Sequence, residues 1–320
     1  MAGMFVTLIK NPQITTAIAI STFIGLRLGK ETLFLGYYKD KLLQSYKDGV
    51  ETPVDKHTKT LAQEVLDKFQ LRPEAEADLQ LFTCFSQDAV YGGSTHLKTG
   101  SIIGLPANFA YKSVNDIDKS KLTIGQKAIK WDTPEGTLFA ESLILSDDAK
   151  RFAIARQINY LDSLEIYVDN GFLLCFSMLG YWVGHAANVL LHLKRKLPTF
   201  MRGSLYVCIA SVGATLYFLA KDEYICYLDE KVDRKSADFG KEYAAGGIEF
   251  YAKELQRNKA LRCLLGDYGK KVYTKYGNYV TTWRLRHPPP ITRHEKMEKF
   301  STRKVNEENA RSEKVNDGTA

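Results

Sequence analysis

A chain of 320 residues is long enough for more than one hydrophobic core, and 45% hydrophobic with 25% charged residues excludes a disordered or low-complexity polymer. The mean hydropathy of -0.24 is ordinary for a soluble protein, so any membrane-crossing sequence must be confined to a few stretches. The net charge of +7 and pI of about 8.9 suit anionic lipid or nucleic acid, but no basic–aromatic stripe of the RNA-reading kind is present, and no nucleic-acid partner is expected.

Residues 1–30 contain no acidic residue and carry Lys10, Arg27 and Lys30. The apolar run from Ile14 to Leu26 is short for a span. Three readings stay open for it: a third membrane helix, an organelle-targeting segment, or a helix buried in a soluble core. From Glu31 to Gln80 the pattern is helical, with Leu61, Val65, Leu66 and Phe69 on one face and a break at Arg72-Pro73. A strand is expected at Leu81–Phe85. Tyr91–Trp131 reads as β-rich, with Ile102-Ile103 as a strand core and a further hairpin from Leu122 to Trp131. A strong helix is expected over 147–163, capped by Ser146 and favoured by Asp147 and Asp148 at its positive end.

The centre of the chain is an apolar hairpin, residues 172–220. Its arms, Phe172 to about Leu193 and Gly203 to Ala220, contain no Asp, Glu, Lys or Arg. Each is about long enough to cross a roughly 30 Å hydrocarbon core as a helix. Between them lies a basic loop with Lys194, Arg195, Lys196 and Arg202. Acidic residues Asp162, Glu165 and Asp169 precede the hairpin, which favours the loop on the more negative side of the membrane; Lys221, Lys231, Arg234 and Lys235 weaken that bias. Beyond the hairpin, Asp222–Leu265 predicts two helices broken at Gly246-Gly247, and Asp267–Tyr279 predicts a hairpin. Pro288-Pro289-Pro290 is expected to end ordered packing, and residues 301–320 to form a disordered polar tail. The fold class that results is an α+β membrane protein. A transmembrane helical hairpin is inserted in a mainly helical domain with a small β-rich part, formed by residues 31–171 and 221–300.

The usual catalytic patterns are missing. Cys84, Cys175, Cys208, Cys226 and Cys263 form no CxxC pair, the six histidines form no HxxxH, and there is no GxSxG, P-loop or GxGxxG. No cofactor, metal or catalytic residue is assigned. The order of elements nonetheless resembles membrane zinc metallopeptidases of the HtpX and Oma type, in which an HExxH helix, a membrane hairpin and an ExxAD helix follow one another. On that pattern the HExxH positions fall on Arg156, Gln157 and Tyr160, and the ExxAD positions run from Arg234 to Asp238. Arg156, Tyr160 and Arg234 cannot replace the ligands and Gln157 cannot be the base, which predicts a degenerate peptidase-like fold without an active site. That reading requires Arg156, Tyr160 and Arg234 to converge.

Within the arms, Gly180 and Gly184 form a GxxxG, and Gly213 lies in the second arm. Small residues allow close helix packing in lipid, either between the two arms or against a partner's helix. His185 is expected to hydrogen-bond across the hairpin, for instance to Ser211 or Thr215.

Four long blocks identify the chain as similar to the transmembrane protein 177 family: GSIIGLPANFA (100–110), IKWDTPEGTLFAESLILSDDAKRFAIARQINYLDS (129–163), YAAGGIEFYAKELQRNKALRCLLGDYGKKVYTKYGN (243–278) and PPPITRHE (288–295). The resemblance implies a multi-pass protein of the mitochondrial inner membrane with no enzymatic activity. It also implies a role in cytochrome c oxidase biogenesis, in which newly made subunit II and its assembly chaperone are the partners stabilised. It places both large domains in the matrix, against the mild charge bias of the hairpin, so orientation stays open. Besides those partners the chain is expected to contact the lipid bilayer. The readings from a different class are a membrane metallopeptidase-like enzyme and a lipid-binding protein acting through the basic loop.

Overall fold

Two long apolar helices rise from a mainly helical body with a small sheet, and one of them also runs through the core of that body. The computed structural model describes residues 12–47, 49–119, 122–124 and 127–317. Lys10 and the rest of residues 1–11 lie outside the described residues. Helix α1 spans Pro12–Glu31. Its Ile18, Phe23 and Leu26 are exposed, so the reading of this stretch as a helix buried in a soluble core is corrected.

Helix α2 (Lys56–Phe69) starts where the Asp55 carboxylate accepts from the Thr58 backbone N–H, and it buries Leu61, Ala62, Val65 and Leu66 as its periodicity requires. It stops at Gln70, whose φ of 47° turns the chain left-handed ahead of Pro73 and the short helix α3 (Pro73–Ala77). A three-stranded sheet follows: β1 (Leu79–Cys84), β2 (Val90–Gly93) and β3 (Ser101–Pro106). Their order is β1-β3-β2, with β3 parallel to β1 and antiparallel to β2. β3 is buried at every position because it is central and covered on both faces. The β-rich stretch expected over 91–131 is thinner than its sequence suggests. Beyond β3 only a two-residue ladder, Thr123–Ile124 with Lys127–Ala128, is formed among the described residues.

Helix α4 (Pro134–Ser142) leads to α5 (Asp147–Leu161), the axis of the main core. Ser146 caps α5 through its hydroxyl, which accepts from Ala149 N–H at 3.2 Å. Ala149, Phe152, Ala153, Ile154, Ala155, Ile158 and Leu161 are at most 1% exposed, so α5 is enclosed around most of its circumference. Each large side chain among them contributes roughly 1.5–3 kcal/mol by leaving water.

The hairpin is α6 (Glu165–Leu190), a single turn at Leu193–Lys196, and α7 (Thr199–Ala237). α6 and α7 are both long and apolar enough to cross a membrane, and their apolar windows are almost unburied within the protein. α7 continues past the apolar arm and packs on α5, then a turn leads to α8 (Lys241–Leu264), which lies against α5, α4 and the final helix α10 (Pro290–Asp317).

Three expectations for this part are corrected. The break falls at Asp238–Gly240 rather than at Gly246-Gly247, and α8 runs through both glycines. They are needed for close approach: a Cβ on Gly246 would sit 2.1 Å from the Asp148 carbonyl oxygen of α5, and one on Gly247 2.9 Å from Phe152 and Met297. Asp267–Tyr279 is not a full hairpin but a short helix α9 (Asp267–Val272) followed by a single Tyr273–Tyr279 bridge. Pro290 does not end ordered packing. It is the first residue of α10, which buries Met297 and continues as helix to Asp317 through the residues expected to be a disordered tail. That segment lacks apolar surface, but it is rich in strong helix formers and has no Gly or Pro before Asp317. The Lys304 ammonium also ties it to the C-terminal carbonyls of Ala237 and Asp238.

Candidate functional site

Where α5 crosses α7, the two helices meet through polar groups. α5 presents Arg156, Asn159 and Tyr160; α7 presents Asp229, Asp233 and Ser236, spaced to share one face. Asn159 donates to Ser236 Oγ at 2.9 Å, and the Tyr160 hydroxyl donates to Asp229. Arg156 Nε lies 3.3 Å from Asp233 Oδ1. From α10, Arg293 closes the cluster with a two-pronged pair to Asp233, Nε to Oδ2 at 2.7 Å and Nη2 to Oδ1 at 2.6 Å, and it reaches Asp229 at 3.5 Å. Tyr251 of α8 donates to Asp233 at 2.7 Å, and His287 Nδ1 is 2.9 Å from Asp229. Aromatic rings wall the cations: Arg293 lies over Tyr251, and Arg156 over Tyr160, Phe250 and Tyr251. Tyr91 of β2 stacks flat on Tyr160 with centroids 4.8 Å apart and bonds Glu165 at the foot of α6.

Asp229 is 1% exposed and Asp233 4%, so the cluster is a core element. Burial pushes the Asp229 carboxyl up, but the His287 hydrogen bond and the Arg293 and Arg156 charges outweigh it and hold it at about 2. Burial likewise opposes the Arg293 charge, and Asp233 with the surrounding groups overcomes that, so its guanidinium stays protonated. The Tyr160 hydroxyl is pushed up to about 12, chiefly by burial. Two carboxylates and two guanidiniums therefore face each other, and Asp229 is held ionised by cations and donors already in place. Asp229 is thus a poor proton acceptor, and the oxygens of both carboxylates are occupied by Arg293, where a metal ligand would need them open to the ion. Among the described residues no group of three or more His, Cys, Asp or Glu side chains is arranged to hold a metal ion.

The expected convergence of Arg156, Tyr160 and Arg234 does not form. Arg156 and Tyr160 are together, but Arg234 is exposed on the other face of α7, and Asp238 is exposed near Lys304. Gln157 is buried within α5. The residues that meet Arg156 and Tyr160 instead are Asp229 and Asp233. Sequence reasoning missed them because it set the α7 register by Ala237-Asp238, five residues too far along; the acidic i, i+4 pair of Asp229 and Asp233 was the available signal.

The hairpin makes a second polar contact at its foot. Asp169 of α6 accepts from Tyr217 Oη at 2.8 Å and from Lys221 Nζ at 2.7 Å, both on α7, and from Arg27 of α1. A cavity of about 180 Å³ opens beside it, lined among others by Glu31, Tyr91, Glu165 and Asn170. Farther along, a Cβ on Gly184 would touch the Tyr206 ring at 3.6 Å, and one on Gly213 would meet the Phe176 carbonyl oxygen at the same distance. Gly180 meets nothing within 4 Å, so the GxxxG pair is split between the seam of the hairpin and its outer surface. His185 is not bonded across the hairpin: it is exposed and flanked by Tyr181 and Trp182, while Ser211 and Thr215 donate to carbonyls of their own helix. Carbonyls one turn back are always within reach of a helical Ser or Thr, which removes them as cross-helix partners. In the loop, Lys194, Arg195 and Lys196 are exposed and Arg202 bonds Thr199.

A family model described as transmembrane protein 177 matches residues 45–316. The chain is similar to curated proteins named transmembrane protein 177. The rat protein is 33% identical over 260 residues, covering 80% of this chain and 82% of the relative. The mouse protein is 32% identical over 262 residues, 81% and 83%. The human protein is 32% identical over 259 residues, 80% and 82%. No solved structure matches.

Proposed function

Given that the chain belongs to the transmembrane protein 177 family, we propose that it is a non-enzymatic scaffold of the mitochondrial inner membrane. In this reading it stabilises newly made cytochrome c oxidase subunit II and the assembly chaperone that handles it. The observation that carries the reading is the contrast between the two parts of the molecule. The folded body sets Asp229 and Asp233 against Arg156 and Arg293, so the polar groups of its core are turned on one another. The hairpin does the opposite: it presents apolar side chains outward along its length, among them Leu174, Met178, Leu179 and Trp182 on α6 and Val207, Val212 and Leu216 on α7. Gly180, with open space over it, allows a partner helix to approach the backbone of α6.

The test is isolation of the protein from detergent-solubilised mitochondria, with subunit II followed by pulse labelling. Co-isolation of newly made subunit II and its chaperone, and faster loss of both when the protein is removed, is the expected result. Normal subunit II lifetime together with no co-isolation would overturn the scaffold reading. A second reading, lipid binding through Lys194, Arg195 and Lys196, is favoured by their exposure at the hairpin tip and is separated by salt-dependent binding to anionic vesicles.

A further inference from the structure

We propose that the foot of the hairpin carries a collar that seats the folded body on the bilayer: Trp283 and Leu285, with Leu33 and Phe34 after α1, insert into the headgroup region of the leaflet that the hairpin enters. The collar lies at the opposite end of the hairpin from the basic loop and engages lipid rather than a protein. The inference rests on the reading of α6 and α7 as membrane-crossing helices.

The register of the hairpin fixes the level of the membrane boundary. Gly184 lies opposite Tyr206, Gly213 opposite Phe176, and Asp169 opposite Tyr217 and Lys221. The apolar arms therefore end together, at about Phe172 on α6 and Ala220 on α7. The segment after the Tyr273–Tyr279 bridge is fastened to α7 at that level. Arg284 makes a two-pronged pair with buried Asp222, both distances 2.7 Å, and its guanidinium lies 4.2 Å from the centre of the Phe218 ring. One residue on, the Leu285 carbonyl accepts from the Cys226 thiol at 3.5 Å. Fastened in this way, the segment leaves Trp283 66% exposed and Leu285 46%. Arg286, beside them, is also exposed.

The α1 side reaches the same level independently. Arg27 bonds Tyr217 and Asp169, which pins the end of α1 to the arm boundary. Leu33 and Phe34 follow within two turns and are 79% and 57% exposed. They sit outside the core because the next residue, Leu35, is the one that turns in against Gly92 and Gly93. Large apolar side chains that face water cost free energy, whereas the interfacial zone suits an indole and aliphatic groups beside an arginine. Both groups border the arm ends, and no protein element among the described residues covers them.

The test uses the full chain in two sets of phosphatidylcholine vesicles, one with acyl chains brominated close to the headgroup and one with acyl chains brominated near their ends, which report Trp283 and the mid-arm Trp182 respectively. One variant, Trp131→Phe with Trp182→Phe, keeps Trp283 as its sole indole; a second, Trp131→Phe with Trp283→Phe, keeps Trp182 in the first arm. The expected result is that Trp283 loses about half of its emission to shallow bromolipid and is shielded from aqueous iodide, as an interfacial indole should be. Trp283 quenched by iodide and indifferent to bromolipid, while Trp182 is quenched by bromolipid, would overturn the collar and leave the hairpin in the membrane. If neither indole responds to bromolipid, both the collar and the membrane-crossing reading fall. If Trp283 responds and Trp182 responds to neither lipid, the membrane-crossing reading falls, and the collar, which is defined by the leaflet that the hairpin enters, falls with it.

Discussion

Replacing Arg293 by leucine tests the buried charge cluster most directly. The guanidinium supplies both short bonds that Asp233 receives from α10, and it also reaches Asp229. Both carboxylates are nearly inaccessible, so without Arg293 water cannot readily take its place. Breaking a buried pair by removing one partner costs about 3–5 kcal/mol, because the other charge is left uncompensated. Arg156 and Tyr251 still face Asp233, which places the expected loss toward the lower end of that range. For a folded body of this size the range is a fall in Tm of roughly 6–20 °C, read by circular dichroism of the detergent-solubilised protein. Adding Asp233→Leu removes the orphaned charge and should restore part of the loss, with a coupling energy of about 2–3 kcal/mol in the double-mutant cycle. The exposed pair of Lys296 and Glu230 is the control: Lys296→Ala should cost less than about 1 kcal/mol. A shift for Arg293→Leu no larger than that control, or a double variant whose loss equals the sum of the singles, would refute the account of the cluster.

Asp229 gives the cluster a pH signature. Its carboxyl is held at about 2 against an ordinary 3.8, so its contribution of about 2 kcal/mol is fully present above pH 4 and lost as the pH falls through 2. Equilibrium unfolding between pH 5 and 2 should therefore show a steeper loss in the unsubstituted protein than in Asp229→Asn. Gly246→Ala should destabilise by about 1–3 kcal/mol through the clash with the Asp148 carbonyl, while Gly171→Ala, with open space around it, should be neutral or slightly stabilising in the same melt. In the hairpin, Gly180→Leu should leave the Tm unchanged but weaken co-isolation of the partner proteins; Gly184→Leu should lower the Tm by forcing the arms apart at Tyr206. Equal effects of Gly180→Leu and Gly184→Leu on Tm would show that both glycines lie in the seam.

The features legible in the sequence are those fixed by neighbours along the chain. Ser146 ahead of two aspartates marks the start of α5, the apolar spacing of Leu61, Val65 and Leu66 marks the inner face of α2, and two uncharged arms mark the hairpin. The misread features depend on what arrives from elsewhere. Gly246 and Gly247 resemble a break until α5 is known to press on them. Pro290 resembles a stop until the chain beyond it is seen to fold back onto α8. Asp229 and Asp233 are given no role by the sequence, because their partners Tyr160, Arg293 and His287 are 58 to 69 residues away along the chain. A charge is assigned to a surface by default, and only a partner brought from another element can reverse that.

The 39 residues of α7 form one rod of roughly 58 Å, from the hairpin loop to the far side of the α5 crossing. It contains no proline, and no glycine after Gly213. A tilt of about 10° pivoting at Ala220 would move its end at Ala237 by roughly 4 Å, more than a hydrogen bond can follow. The angle at which the bilayer holds the arm and the fit of Asp229 and Asp233 among their partners are thus one mechanical variable. Cutting the chain at Ala220 would not release a soluble domain. It would leave the central strut of that domain without its lower half and unmoor the foot at which Asp169, Tyr217 and Lys221 set its angle.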